Sequence, residues 1–234
     1  MRITTAVTFA IIAASPGALA HTTLQTPQIN ENTRVYNNAV IGHGCANETP
    51  VFGTSVVFPD GVDSTITVNG AASTEALSAF VANWGNSVQM IQSNDTFPMQ
   101  GVKTDALGNV VGFWAGGGEL DHHLIGLVPF RTNAVLIEPT SCARSVTFEI
   151  AIVDVCALTT LSGFSDETVN LWTPLVESNY DGAESEPATL KVNRTSALPA
   201  ECGEGVDVVV TPSAAQLNRD MPVVIGGVQV WPKP

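Results

Sequence analysis

The chain lacks an apolar run long enough to cross a membrane. The apolar run at 6–14 is too short for this, and no later segment reaches about 18 consecutive apolar residues. Basic residues are also scarce: 9 Lys and Arg stand against 22 Asp and Glu, for a net charge of −13. We therefore expect no membrane span and no nucleic-acid partner, because an acidic surface repels phosphate and attracts cations.

Motifs of several common enzyme classes are also missing. The sequence has no G-x-S-x-G elbow, no H-E-x-x-H helix and no phosphate-binding glycine loop. Its four cysteines form no C-x-x-C pair, which argues against a zinc ribbon or a thioredoxin motif. Aromatic residues make up only 6% of the chain, and no polysaccharide-binding motif is evident. These absences leave a non-catalytic protein as the first expectation.

Residues 1–20 have the pattern of a secretory signal peptide. Arg2 supplies the positive start, 6–14 the apolar region, and 18–20 reads Ala-Leu-Ala, an A-x-A cleavage site. Cleavage there makes His21 the first residue, unless a histidine at this position is accidental. No cysteine lies near the site, so a lipoprotein is not expected. We expect an exported protein at the cell surface, in the periplasm or secreted.

A terminal histidine offers a metal two neutral nitrogen donors, the α-amine and an imidazole nitrogen, and this chelate suits copper. The chain has 4 histidines in all: His21, His43, His122 and His123. Glycines flank His43 on both sides, which lets the backbone approach a ligand closely. Taken singly, each histidine is explained as a polar side chain at a strand end, but together they predict a metal site.

The pair His122-His123 carries acidic neighbours. Adjacent residues on a strand point to opposite faces, so only one of the two is expected to face a common site. Asp121 and Glu119 are candidates to orient an imidazole through its free N–H. Histidine donors without free thiols suit Cu, Zn, Ni or Fe better than Mg or Ca.

Two further features bear on the metal. Trp114, just before a triple glycine, is interpreted either as a buried aromatic of the core or as a residue beside the metal. Calcium is a second candidate cation, without assigned ligands and without EF-hand spacing. The acidic residues in or near turns are Asp95, Asp105, Asp154, Asp166, Glu167 and Asp181.

Short alternating segments separated by turn residues predict an all-β fold. We expect a single-domain antiparallel β-sandwich over 21–234, with one or two short helices at 74–84 and 213–217, and no linker or repeat. Asn69-Gly70 signals a hairpin, and Pro129 suggests an edge strand or a bulge. The predicted strands are 51–58, 64–68, 108–114, 124–130, 145–153, 189–192 and 206–210.

The four cysteines, Cys45, Cys142, Cys156 and Cys202, predict two disulfides, because an exported chain with an even number of cysteines usually pairs them. Three connectivities are possible. We favour Cys45–Cys142 with Cys156–Cys202.

Several segments resemble the copper-repressible surface copper-binding proteins of methane-oxidising bacteria, the MopE/CorA type. These segments are 38–45 (Asn-Ala-Val-Ile-Gly-His-Gly-Cys), 55–62 (Ser-Val-Val-Phe-Pro-Asp-Gly-Val), 120–123 (Leu-Asp-His-His), 171–174 (Leu-Trp-Thr-Pro) and 187–190 (Pro-Ala-Thr-Leu). The resemblance implies a β-sandwich that binds copper through two histidines at the cell surface, in copper acquisition.

His43 and one of His122 and His123 match the family's histidine positions. An oxidised tryptophan (kynurenine) joins the site in the methanotroph proteins, but position 41 is Ile here, and His21 is the candidate replacement. The order of residues at 114–117 and 130–131 is also similar to YcnI-like copper-binding domains, which begin with a mature histidine. That second resemblance implies that His21 itself is a ligand.

The expected function is therefore non-catalytic copper binding for acquisition or homeostasis, with the copper ion and a copper-trafficking protein as partners. Imidazole must be neutral to bind, so affinity should fall below about pH 6. Two alternatives stand beside it. One is a copper oxidase of the lytic polysaccharide monooxygenase type, with His21 in a histidine brace. The other is a structural or adhesive sandwich with incidental histidines.

Overall fold

The computed structural model describes residues 21–93, 95–182 and 186–234, so the signal peptide predicted at 1–20 lies outside the described residues. Within these ranges the strands are β1 (Thr23–Leu24), β2 (Gln28–Asn30), β3 (Val35–Ile41), β4 (Val51–Val57), β5 (Ser64–Val68), β6 (Ala71–Ser73), β7 (Val88–Met90), β8 (Met99–Thr104), β9 (Val110–Leu120), β10 (Gly126–Thr132), β11 (Ala143–Val155), β12 (Val169–Trp172), β13 (Ala188–Asn193), β14 (Val206–Pro212), β15 (Val223–Ile225) and β16 (Val228–Trp231). The helices are α1 (Ala214–Asp220) and 3-10 turns at Ala46–Glu48, Leu77–Ala79, Leu161–Gly163 and Ala200–Cys202.

Two sheets dominate, and the predicted all-β sandwich is confirmed. One has the order β1-β3-β10-β7, and the larger one has the order β6-β5-β14-β11-β4-β9-β8. The long strand β11 is central: its first half pairs with β13 and β14, and its second half pairs with β4 and β12. Most pairs are antiparallel as expected, but β11–β14 and β2–β13 are parallel. The connection 194–205 is long enough for β14 to cross to the other side of β11.

Strand β11 is buried on both faces because successive side chains point to opposite sides. Ile150 and Ile152 lie in a large apolar cluster, and both are 0% exposed. Ala151 and Val153 lie in a second cluster, with α1 and β16 residues such as Trp231. The alternating side chains of β11 thus contribute to two separate apolar cores.

The helix predicted at 213–217 is confirmed as α1, whose first turn is capped by the Ser213 side chain accepting from the Gln216 amide. The helix predicted at 74–84 is wrong except for one 3-10 turn. Beyond that turn the chain makes strand-like contacts: Val81 bridges Ile137, and Ala82 donates to Leu136. The apolar residues at helical spacing in this segment are buried in or packed against the core without forming a helix.

Two turn signals behave differently. The hairpin at Asn69-Gly70 is confirmed, with φ of 48° and 79°, and it joins β5 to β6. Strand β10, which contains Pro129, is not an edge strand overall, because it lies between β3 and β7. Its register with β7 begins at Phe130, and Pro129, which has no N–H to donate, accepts a hydrogen bond from the N–H of Ile91 just after β7.

Two disulfides form, as predicted, but both predicted pairings are wrong: the bonds are Cys45–Cys156 and Cys142–Cys202. Strand pairing explains both. Because β4 runs antiparallel to the end of β11, the loop before β4 lies beside the residue after β11. Because β14 runs parallel to the start of β11, the residues that precede these two strands lie together.

Candidate metal centre

Two histidines from distant parts of the chain lie against one tryptophan. Trp172 ends β12, His21 precedes β1, and His43 lies in the loop after β3. The His21 ring centroid is 4.6 Å from that of Trp172, and the His43 ring meets the same indole edge-on at 6.1 Å and 89°. The fold therefore brings together two of the four histidines that the sequence proposed as ligands.

A buried carboxylate lies behind this tryptophan. The Trp172 indole Nε1 donates to Asp154 Oδ2 at 2.9 Å, and the Thr22 hydroxyl donates to the same oxygen at 2.5 Å. Asp154 is on β11 and is 0% exposed. Among the residues that the structure describes, its other oxygen, Oδ1, has no hydrogen-bond partner of ordinary geometry.

The surroundings of Asp154 have opposing effects on the pKa of its carboxyl group. Burial raises the pKa of this carboxyl, while hydrogen bonds from the Thr22, Trp172 and Thr54 side chains and the charge of His43 lower it. Burial has the larger effect. The buried position therefore favours the neutral, protonated form of Asp154 more than water does.

The loop that carries His43 is fixed by several contacts. The Nδ1 atom of His43 makes a short hydrogen bond with the carbonyl of Gly44, which also accepts from the Asn170 amide at 3.2 Å. Because Nδ1 is the donor to that carbonyl, Nε2 is the nitrogen left for a metal. The Cys45–Cys156 disulfide joins this loop to the end of β11, two residues beyond Asp154.

His21 is largely covered, with a side chain 14% exposed, and its Nε2 lies 3.2 Å from the carboxylate of Glu186. That carboxylate is itself 75% exposed. The contact is an ion pair only when the imidazole is protonated. A metal at His21 would compete with it.

The other two histidines lie in a turn rather than on a strand. Their segment connects β9 to β10, and the backbone N–H of His123 donates to Asp121 Oδ1 at 2.8 Å. The rings of His122 and His123 pack together at 3.7 Å. The expectation that they point to opposite faces is therefore wrong, because strand alternation does not apply in a turn.

Carboxylates surround His122. Its Nε2 lies 3.6 Å from Glu48 and its Nδ1 lies 3.7 Å from Asp121, and Glu119 lines the same cleft. A Cβ atom on Gly44 would lie 2.9 Å from the Cβ of His122. The turn thus packs against the loop of His43, and Asp121 has the neighbouring position that the sequence proposed for it.

Trp114 lies elsewhere. It is 8% exposed on β9 and belongs to the second apolar cluster with Val57 and Trp231. A Cβ atom on Gly101 would lie 2.6 Å from its Nε1. Of the two interpretations of Trp114, the structure supports the buried aromatic, and the residue beside the histidines is Trp172.

Within 21–93, 95–182 and 186–234, no group of three or more His, Cys, Asp or Glu side chains is arranged to hold a metal ion. Two of the acidic residues considered for calcium, Asp105 and Asp181, instead accept backbone N–H bonds from their own loops. Calcium stays a prediction without a site. Of the described helices, none is both long and apolar enough to cross a membrane.

An open groove of about 780 Å³ runs beside the two residues His43 and Trp172. Its lining includes the polar side chains of Asp166, Asn170 and Asp181. A bare ion needs far less space than this. The groove makes the His43 side of the centre accessible to a larger ligand.

Sequence reasoning missed the parts played by Trp172 and Asp154. One signal was present: Asp154 continues the alternating segment 145–153, where a carboxylate follows a run of buried positions. A charge in such a strand needs a partner. The partner could not be identified from the sequence, because it depends on the pairing of β11 with β12, which sets Trp172 opposite Ile152.

Comparisons with known proteins add little to this picture. No protein-family model matches the chain, and no curated protein matches it. Among solved structures, it is similar to an uncharacterized protein from Nocardia farcinica, whose crystal structure is described as revealing an immunoglobulin-like fold. The two share 13% identity over 74% of this chain and 97% of the other, with a TM-score of 0.40. Nothing about function follows from a similarity at this level.

Proposed function

We propose that this chain is an exported, non-catalytic copper-binding protein for copper acquisition or homeostasis, with copper at His21 and His43. The observation that carries the proposal is the packing of both imidazoles on the single ring of Trp172. Donors fixed on a rigid aromatic lose little freedom when a metal arrives.

The donor set suits copper. Cleavage before His21 would free its α-amine, so that one amine and two imidazole nitrogens become available. All four cysteines are in disulfides, so no thiolate competes for the ion. Neutral nitrogen donors without thiolate are typical of copper sites. The third donor is the α-amine, which belongs to the backbone and is therefore not one of the side-chain ligands of this site.

The resemblance to the MopE/CorA type supports the same function. It implies two histidines and a modified tryptophan at the copper, and position 41 has no tryptophan here. Trp172 approaches His43 from β12 instead. Export and a copper-trafficking partner remain part of the proposal, and the two disulfides suit an oxidising compartment.

The open groove beside His43 supports a second candidate function, that of a copper oxidase with a histidine brace. An oxidase needs space for a substrate at the metal, and the groove provides about 780 Å³. Cleavage of chitin or cellulose by the copper-loaded protein with hydrogen peroxide would support this candidate. No cleavage together with tight copper binding would favour the non-catalytic protein.

The test compares the protein that begins at His21 with one that carries an extra N-terminal glycine. We expect one copper per chain in the first and at least about tenfold weaker binding in the second, because the extension removes the amine–imidazole chelate. His43→Ala should weaken binding by about 100-fold, and the exposed His123→Ala is the matched control.

Three results would contradict the proposal. Equal affinities in the extended, His43→Ala and parent proteins would exclude His21 and His43 as ligands. A larger loss in a His122→Ala variant than in His43→Ala would move the copper to the turn. Affinity no tighter than micromolar in the parent would favour the structural sandwich.

A further inference from the structure

A second cavity opens at the apolar cluster that contains Trp114 and Trp231. It has a volume of about 200 Å³, and strands β4, β9, β15 and β16 supply most of its wall. None of the described residues that line it is charged, and none is a histidine. The cavity is therefore independent of the copper centre proposed above.

The triple glycine that follows Trp114 explains why this space is open. Gly116 pairs with Gly53 of β4, and alternation along β9 places position 116 on the same face of the sheet as Trp114. Two opposite positions on that face thus lack side chains. Apart from its chain neighbours, the heavy atom nearest to a Cβ on Gly116 would be 3.4 Å away. A side chain at this position would therefore have room, and its absence leaves the cavity unfilled.

Exposed apolar side chains form the entrance. Phe52, Met99 and Leu158 line the cavity and are between 37% and 57% exposed. Met99 lies over Gly117, where an added Cβ would be 2.9 Å from the methionine sulfur. Because a methionine side chain is flexible and polarisable, it can adapt to the shape of a bound molecule.

One polar group in the wall has no partner. Trp231 is 1% exposed, and its indole N–H makes no hydrogen bond among the described residues. The ring is fixed by Phe164, which stacks on it at 5.4 Å and 9°. The hydroxyl of Thr54, by contrast, already donates to the carbonyl of Val153 at 3.3 Å. Since a buried indole N–H usually has an acceptor, the donor of Trp231 is available to a ligand.

We propose that this cavity binds a small, uncharged apolar molecule that carries one oxygen acceptor, such as an aryl ketone. The volume sets the size, because an apolar cavity of about 150 Å³ accommodates benzene. The uncharged wall excludes an ion, because burying a charge without a partner is costly. The net charge of −13 further opposes an anion. The indole N–H of Trp231 accounts for the oxygen acceptor.

The test titrates metal-free protein with acetophenone and with two probes of nearly the same shape. Cumene has a methyl group in place of the oxygen acceptor, and benzoate adds a negative charge. NMR follows the indole N–H resonances, and Trp231→Phe identifies the Trp231 signal by removing it. We expect acetophenone to bind saturably and to move that signal downfield, because the N–H gains an acceptor. Cumene should bind with a smaller shift, and benzoate at least about tenfold more weakly.

Gly116→Val is the variant that fills the cavity. Its side chain would take the space of the ligand, so we expect the affinities for acetophenone and cumene to fall by at least about tenfold. Ala72→Val is the matched control, because it adds a β-branched side chain at an exposed position of β6. This control should leave both affinities unchanged, and thermal unfolding checks that both variants are folded.

Several outcomes would overturn the proposal. One is a parent protein that binds neither acetophenone nor cumene saturably, and another is a folded Gly116→Val variant with unchanged affinities. A shift of the Trp172 signal in place of the Trp231 signal would place the probes in the groove beside His43. Benzoate binding as tight as that of acetophenone would contradict the uncharged class of ligand.

Trp231→Phe tests the hydrogen bond without filling the cavity. It should lower the affinity for acetophenone relative to cumene, because the phenyl ring has no N–H to donate. Equal changes for the two probes would contradict the role of the indole N–H. All of these measurements are made without copper, so their failure would leave the proposed copper binding untouched.

Discussion

The two pairs of histidines differ in what surrounds them. His21 and His43 come from separate segments and meet on a tryptophan that is 9% exposed, whereas His122 and His123 are chain neighbours in an exposed turn. In the first pair each ring is fixed by contacts from other strands. In the second pair, the rings mainly fix each other. Preorganisation therefore distinguishes two sites that look alike as residue types.

The acidic partners differ in the same way. One fully buried carboxylate, Asp154, lies behind the first pair, while Glu48 at 76% and Asp121 at 58% side-chain exposure flank His122. Exposed ion pairs contribute little and are screened by salt. We expect the first pair to govern copper affinity and the second to add a salt-dependent attraction for cations.

The largest expected effect comes from the two disulfides. Replacing Cys45 and Cys156 by Ala should lower the free energy of unfolding by about 2–5 kcal/mol and also weaken copper binding, because that bond fixes the loop of His43. Replacing Cys142 and Cys202 by Ala should destabilise the fold by a similar amount but leave copper affinity intact. Denaturant unfolding and copper titration measure the two effects, and an equal loss of affinity in both variants would contradict the comparison.

Gly44→Ala should disturb both histidine pairs together. The added Cβ would clash with the carbonyl oxygen of Thr49 and lie 2.9 Å from the Cβ of His122. We expect a loss of about 1–3 kcal/mol in the free energy of unfolding. Gly116→Ala is the control, because its nearest atom would be 3.4 Å away. Equal stabilities of the two variants in thermal unfolding would show that the two loops are not packed as described.

The pH dependence of folding stability and the pH dependence of copper affinity should come from different groups. Lys103 is 8% exposed and donates to the carbonyls of Met221 and Pro222, and burial lowers its pKa to about 7, which the charge of Asp220 partly opposes. Between about pH 7 and its ordinary pKa, the unfolded chain binds more protons, so stability rises with pH; below pH 7 the cost of burying the charge is fully present.

We expect a rise of about 2 kcal/mol in the free energy of unfolding between pH 7 and 9 that Lys103→Met removes. Denaturant unfolding at each pH measures it. Copper affinity should also rise with pH, because the nitrogen donors must be neutral to bind the metal, but Lys103→Met should leave that rise unchanged. A stability profile that is identical in the Lys103→Met variant would contradict the assignment of this titration to Lys103.

The smallest expected effect on affinity is that of Trp172→Phe, about threefold, because a phenyl ring still packs on the imidazoles but lacks the bond to Asp154. Its effect on fluorescence should be larger. Of the 4 tryptophans, Trp172 is the one beside the histidines, so bound Cu²⁺ should quench mainly its emission. Trp114→Phe serves as the control, and quenching that disappears in that variant instead would place the metal near Trp114.

Local patterns in the sequence were enough for much of the fold. The strand-like segment 51–58 and the alternation at 145–153 correctly predict β4 and β11, and Asn69-Gly70 correctly predicts its hairpin. Histidine content and an even number of cysteines were enough to name the candidate ligands and the presence of two disulfides. Each of these properties depends on residues close together in the chain.

Only the tertiary structure decided which of these residues meet. The cysteine pairing follows from the registers of β4 and β14 on β11, and the turn at His122 follows from where β9 ends. The presence of Trp172 and Asp154 beside His43 depends on β11 pairing with β12, and on a disulfide that joins the His43 loop to the end of β11. The physical reason is that alternation along one strand shows which face is buried, whereas the partner strand and its register depend on packing the whole chain.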